Sequence, residues 1–274
     1  MDTEIIFFYC VADDFFKAMH LKENDQIQMN NAEVATVALT AACFFGGNIE
    51  NSRKFLLENH YIPNMLSKSR LCRRIHAIPA EFWQYLPLNL PGVQKKMDQY
   101  KEFIVDSFPI PVCDNIRIAR RHLYKEERYR GKCVSKRRYF LGLKAHVLMT
   151  SDYHPVEWLL TVGSENDNKA FSRFDLNLPE GSTIYADAIY TNYEVEDLLA
   201  EIENIKLYAQ RKSNSKRPRP GWIEYIITTL RKKVETGFSV LTHLFPKKIH
   251  AVTEKGFALK CACFITAFSC LQAL

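Results

Sequence analysis

The hydrophobic period of this chain changes at "PLNLPGVQ", residues 87–94, and the change limits what each side can fold into. Before it, apolar residues recur at helical spacing; after it, they mostly alternate as in strands. "EVATVALTAACFF" reads as a helix, and "NIENSRKFLLENH" follows Gly46-Gly47 with Asn48 or Asn51 placed to cap it. "LSKSRLCRRIHAIP" is a third helix, with Ser67 or Ser69 at its start. Its Leu71, Ile75 and Ile78 share one face, and Arg70, Arg73 and Arg74 fall on another. Three short helices ending in a basic one suit a helix-turn-helix module whose last helix enters a DNA groove. They equally suit a helical bundle with a solvated basic face. Residues 1–95 are therefore expected to be an all-α, helix-turn-helix-like domain, and residues 96–274 a second domain.

The second segment opens with "EFIVDSFPIPVC", an apolar, β-branched run with prolines expected just past its end. "RYFLGLKAHVLMT" alternates, "SDYHP" turns the chain and "VEWLLTVG" returns it, a three-strand antiparallel meander. A helical "NDNKAFSRF", the strand "STIYAD", the helix "YEVEDLLAEI" and the strand "KLYAQ" follow. Strands first, then alternating helix and strand, imply an α/β fold with a mixed sheet covered by helices. In "GWIEYIITTLRKKVETGFSVLTHLF", Ile223, Ile227, Leu230, Val234, Phe238, Leu241 and Phe245 make one continuous apolar stripe, the mark of a long closing helix.

Two aspartates stand where strand runs stop: Asp106 in "IVDSFP" and Asp187 in "IYADAIY". Neighbouring central strands would bring both to one edge of the sheet. Glu235 borders the apolar stripe of the closing helix, where it can lean over the strand ends. Three ionised carboxylates meeting at one point repel one another unless a cation joins them. An all-oxygen cluster suits Mg²⁺ or Mn²⁺, and two such ions can support in-line displacement at a phosphodiester. Taken singly, each residue also has a plainer reading: a strand-end Asp as a turn former, and Glu235 as the partner of Arg231 one helical turn away. Asp114, Asp152, Asp167 and Asp175 have equally polar surroundings.

"IVDSFPIPVC", "YADAIY" and "RKKVETGFSVL" resemble, in order, the three signature regions of DDE-type bacterial insertion-sequence transposases, most of all insertion-sequence family nine-eight-two. The resemblance implies a ribonuclease H-like catalytic domain with Asp106, Asp187 and Glu235 as catalytic, metal-binding residues. It also implies a cofactor of two Mg²⁺ ions, with Mn²⁺ as a substitute. Arg231 fits the arginine that precedes the glutamate with three residues between. Thr228 and Thr242 stand where the superfamily often has tyrosine and lysine.

The formal net charge is +6, and its distribution is uneven. One basic run spans residues 117–144 and includes Arg137, Arg138 and Lys144. A second, "QRKSNSKRPRPG", carries Arg211, Lys212, Lys216 and Arg217 and is expected to be a mobile arm ordered on its substrate. Both flank the proposed active edge, where such groups would neutralise phosphates with little sequence preference. Arg70, Arg73, Arg74 and Arg231 complete the candidate DNA contacts.

The eight cysteines are scattered without a Cys-x-x-Cys pair, so they read as reduced thiols of a cytosolic protein. "MDTEIIFFYCVADDFF" lacks the basic start of a secretory signal. "FALKCACFITAFSCLQAL" reads as a buried terminal helix, and no membrane partner is expected.

The expected function is DNA transposition in a bacterial cytosol, associated with the nucleoid. The protein would cleave element ends at terminal inverted repeats and join the 3′-hydroxyl ends to target DNA, as a homodimer on double-stranded DNA. Two alternatives remain open: a metal-dependent nuclease of the same fold, and a non-catalytic DNA-binding protein derived from a mobile element.

Overall fold

The computed structural model describes all residues except 22, 24, 25, 115–121 and 134–137; of residues 114 and 231–234 it describes only the backbone. The helices and strands, in chain order, begin with α1 (Asp2–Ala18), α2 (Asn31–Phe44), α3 (Ile49–Glu58), α4 (Lys68–Ala77), α5 (Ala80–Tyr85) and α6 (Val93–Tyr100). There follow β1 (Glu102–Asp114), β2 (Arg130–Cys133), β3 (Arg138–Thr150), β4 (Pro155–Val162), α7 (Asp167–Phe171), β5 (Thr183–Ala186), α8 (Tyr193–Ile202), β6 (Lys206–Ala209), α9 (Gly221–Leu244) and α10 (Glu254–Ala273). Two compact units result: Met1–Pro91 with Leu241–Leu274, and Gly92–Val240.

The first unit is helical and built around α2. A reciprocal cap starts that helix: the Glu33 amide donates to the Asn30 side chain at 2.7 Å, and the Asn30 amide donates to the Glu33 carboxylate at 2.8 Å. From Ala32 to Ala42 nearly every residue is buried, as expected of a helix that is apolar all round. Such a helix needs cover on all sides, and α10 supplies part of it with Phe257 and residues 261–270 buried. Sequence reasoning assigned α10 to the second domain; its packing places it in the first unit. It is long and apolar enough to cross a membrane by composition, but 61% of that window is buried inside the protein.

The closely turned helix pair is α2–α3, which meet at 112° across residues 45–48, where Gly46 and Gly47 take positive φ. The basic helix α4 comes after the longer connection 59–67, so it is not the second member of that pair. Leu71, Ile75 and Ile78 are buried beneath it, as the stripe predicts.

The second unit is a mixed sheet flanked by helices, consistent with a ribonuclease H-like fold. Its strand order is β2-β3-β1-β5-β6, with β4 also on β3. β1 pairs antiparallel with β3 on one side and parallel with β5 on the other, and β5 is parallel to β6. Register between β1 and β3 shifts between Pro111 and Cys113. Beside that shift, a Cβ on Gly142 would stand 2.3 Å from the Ile110 carbonyl oxygen, so only glycine fits there.

The prolines differ from expectation: β1 runs through Pro109 and Pro111 to Asp114 rather than stopping before them. The physical reason lies in β5, which ends at Ala186 opposite Val105. From Asp106 onward that edge of β1 has no strand partner among the described residues, and proline's missing N–H is tolerated on such an edge.

α9 forms as its stripe predicts. Ile227, Phe238 and Leu241 are buried, Ile223 and Leu230 are half-buried, and Phe245 falls just past the helix end.

Candidate active site

Strand register decides where the aspartates stand. The last parallel pair between β1 and β5 is Val105 with Ala186, so the next position on each chain is Asp106 and Asp187. Side chains alternate along a strand, which puts Asp106 on the face of Ile104 and Asp187 on the face of Tyr185. Ile104 and Tyr185 are themselves register partners, so the two carboxylates emerge side by side on one face. Neighbouring strands lie about 4.8 Å apart. Each carboxylate accepts from the amide of the next residue, Ser107 at 2.7 Å for Asp106 and Ala188 for Asp187. Both are half-buried. Asp106 is not at the end of its strand, as its sequence context suggested; it stands where the parallel pairing ends.

Glu235 is carried on α9, which packs against this face. Phe238 packs edge-on against Phe108 with centroids 6.1 Å apart, and Phe108 shares the Asp106 face of β1. A Cβ on Gly237 would meet the Tyr153 ring at 2.3 Å, so α9 also lies close against the turn after β3. These two packing points bracket Asp106 along the sheet, since Tyr153 follows Thr150, the partner of Phe103. Glu235 lies one helical turn before Phe238 and is exposed. Among the described residues, no group of three or more His, Cys, Asp or Glu side chains is assembled to hold an ion. The sheet brings Asp106 and Asp187 together; Glu235 is on the helix that packs on Phe108 and Tyr153, and is not drawn into one cluster with them.

On the opposite face, behind the aspartates, is a polar layer that sequence reasoning missed. Ser107 and His146 are register partners, and Lys144 is two residues away on the same face. The carboxylate of Asp167, at the start of α7, accepts from Lys144 Nζ at 3.0 Å and Ser107 Oγ at 3.3 Å. Its Oδ1 lies 3.7 Å from His146 Nδ1, while His146 Nε2 is 3.0 Å from Thr161 Oγ1. Burial pushes the His146 pKa down to about 4; Lys144 acts in the same direction and Asp167 opposes it. Tyr190, in the short 3-10 turn Ala188–Tyr190, is buried, and its ring stands edge-on to Phe171 at 5.9 Å. Burial raises its hydroxyl well above the usual phenol value, and the charges of Asp167, Asp106 and Asp187 add to the rise. The helix "NDNKAF" was visible in sequence, but nothing there distinguished Asp167 from the other polar aspartates.

The candidate DNA contacts fall into separate environments. Arg70 and Arg73 are exposed on α4, whereas Arg74 turns back to Asn31 at 3.0 Å. Arg137 lies outside the described residues, as does the side chain of Arg231, and Arg138 is half-buried at the start of β3. Lys144 is engaged by Asp167 and by the Glu165 carbonyl at 3.0 Å, on the face away from Asp106. The second basic run is not the free arm that its prolines suggested. Arg211 forms a bidentate pair with Glu196, Arg217 pairs with Asp197 at 2.7 and 3.0 Å, and Arg219 donates to the Ala209 and Leu207 carbonyls. The acidic face of α8 draws these guanidinium groups in, and Tyr193 lies beneath two of them.

Lys212 and Lys216 are exposed and line a groove of about 560 Å³ with Ala188, Ile189, Thr191 and Tyr193. This groove begins at the residue after Asp187. Thr228, where the superfamily often has tyrosine, donates its hydroxyl to the Glu224 carbonyl of its own helix at 2.8 Å.

The donor chemistry fits a hard divalent cation. Asp106 and Asp187 offer carboxylate oxygens on one face of the sheet, the hard donors that Mg²⁺ and Mn²⁺ prefer.

The family described as "Transposase DDE domain" matches residues 96–250, more than half of the chain. Among solved structures, a cryo-EM structure of piggyBac transposase in a synaptic complex with hairpin DNA is similar at 9% identity. That likeness covers 99% of this chain and 74% of the other, with a TM-score of 0.49. No curated protein sequence matches the chain.

Proposed function

Because the chain belongs to the transposase DDE-domain family, we propose that it cleaves the ends of a mobile DNA element and joins their 3′-hydroxyls to target DNA. The observation that carries this reading is the register of β1 and β5, which sets Asp106 and Asp187 side by side on one face within the family-matched segment. Asp106, Asp187 and Glu235 would hold two Mg²⁺ or Mn²⁺ ions, with Glu235 closing in from α9. Such ions neutralise charge at the scissile phosphate and favour in-line displacement.

The chain's own residues supply position and charge. The backbones of β1 and β5 hold the aspartates to a tolerance that loops do not reach. Lys212 and Lys216 lie along the groove from Asp187, where they would meet the phosphates of DNA leading away from the reacting bond. Arg70 and Arg73, exposed on α4, suit a separate contact with element ends. Two ends brought together imply a homodimer on DNA. Membership of insertion-sequence family nine-eight-two, with terminal inverted repeats as the recognised ends, is part of this proposal.

One observation favours a second reading. The three carboxylates are not assembled into one cluster among the described residues, as would suit a DNA-binding protein that has lost catalysis. Incubation with labelled duplex from the element's ends, a supercoiled plasmid and Mg²⁺ separates the readings. Joined product is expected, and Asp187→Asn should abolish it. Cleavage without joining would indicate a nuclease; binding without either product would indicate the non-catalytic reading.

A further inference from the structure

The segments that carry the two aspartates are both held by one short helix. α7 grips β1 through Asp167, which accepts from Ser107, the residue after Asp106. It grips the turn after Asp187 through Asn168, whose side-chain amide donates to the Ile189 carbonyl at 2.7 Å. Phe171 adds the ring contact with Tyr190 in the same turn. Asp167 is itself fixed, because Lys144 of β3 neutralises it at 3.0 Å in a site where its side chain is 10% exposed. β5 stops at Ala186, so no strand pairing holds Asp187 to Asp106 beyond that point. The ties through α7 take over where the ladder ends.

Resting on the metal-site reading above, we propose that Asp167 is a positioning residue: with Asn168 it sets the spacing of the Asp106 and Asp187 carboxylates from behind the sheet. It touches neither substrate nor cation. Its effect passes through Ser107 on one strand and the Ala188–Tyr190 turn on the other. Outer-shell partners of metal ligands typically contribute 10- to 100-fold in metal affinity or activity, and α7 fills that place here through Ser107 and the Ala188–Tyr190 turn.

The test uses Mn²⁺ alone with the full chain and no DNA, reading the rise in melting temperature as Mn²⁺ is added. Ser107→Ala and Asn168→Ala cut one tie each and leave the Asp167–Lys144 pair intact. Each should weaken Mn²⁺ binding about 10-fold or more while changing the metal-free melting temperature little. Asp167→Asn should weaken it further, and Asp167→Glu should restore part of the loss. Asp106→Asn is the control. If it removes the Mn²⁺ response while Ser107→Ala and Asn168→Ala both respond like wild type, α7 does not set the site and the inference is overturned. If Asp106→Asn leaves the response intact, the metal site itself is elsewhere. Should Asp167→Asn fail to fold with Lys144 left unpaired, the two alanine variants still decide the question.

Discussion

Asp106 and Asp187 each anchor one carboxylate oxygen on the amide that follows, which fixes the side chain relative to its backbone. Replacing either with asparagine keeps the shape and removes the charge, so strand cleavage should fall by at least about 100-fold, the scale on which positioned charge stabilisation acts. DNA binding measured without metal should persist in both variants. Loss of binding and cleavage together would point to a folding defect rather than to the chemistry. His146 gives a prediction of another kind. Its folded pKa, about 4, lies below the ordinary 6.5, so the unfolded chain takes up a proton first as pH falls. Stability from the neutral, buried ring is therefore complete above about pH 6.5 and lost progressively toward pH 4, by roughly 3 kcal/mol in the limit. His146→Gln removes that contribution: the stability gap between wild type and variant should narrow across this window, as denaturant titrations at both pH values would show. A gap that does not change with pH would mean that the ring is not held neutral. At this scale the sequence revealed residue types and order but not partners. Asp106 and Asp187 were legible because each ends an apolar run, while Asp167 was hidden because its significance comes from Lys144 and Ser107, 23 and 60 residues away.

Helices and strands were the most legible level, since each rests on a local period. The stripe of α9 and the strand β3 follow from spacing alone, although β3 is buried on both faces from Phe140 on rather than on alternate residues. The course of β1 through its prolines did not, because it depends on β5 ending early at Ala186, a matter of pairing rather than composition. The second basic run misled for a related reason: its arginines read as free charge until the acidic face of α8 is brought beside them. That distinction is measurable. Arg211 is nearly buried with Glu196, which Arg219 also holds at 3.4 Å, so Arg211→Ala should destabilise the protein by about 1.5–3 kcal/mol by removing the nearer of the carboxylate's two cations. Lys212→Ala with Lys216→Ala should leave stability almost unchanged. The pair should also flatten the dependence of DNA affinity on salt by about one unit of slope for each phosphate left without its cation. The docking of α9 is tested at Gly237. Alanine there would gain about 1 kcal/mol of helix propensity but press its Cβ onto the Tyr153 ring, at a cost of about 1–3 kcal/mol. Gly237→Ala should thus lower the melting temperature, and adding Tyr153→Ala should recover it.

At the level of the whole molecule, no local pattern announces that the first unit resumes at Leu241. The first returns to the end of the sequence for α10, because an α2 that is apolar on every side cannot be covered by its immediate neighbours alone. Truncation before Glu254 should therefore unfold the helical unit, with loss of helical circular dichroism beyond that of the missing segment. The second unit carries most of the family match, the mixed sheet and the paired aspartates, and the account of function rests on it. Its central claim is that Asp106 and Asp187 share a divalent cation that Glu235 helps to hold. Anomalous scattering from crystals grown with Mn²⁺ tests this most directly. The account predicts a peak between the Asp106 and Asp187 carboxylates with Glu235 among the ligands. Mn²⁺ bound elsewhere, or absent from that place at concentrations that support cleavage, would contradict it.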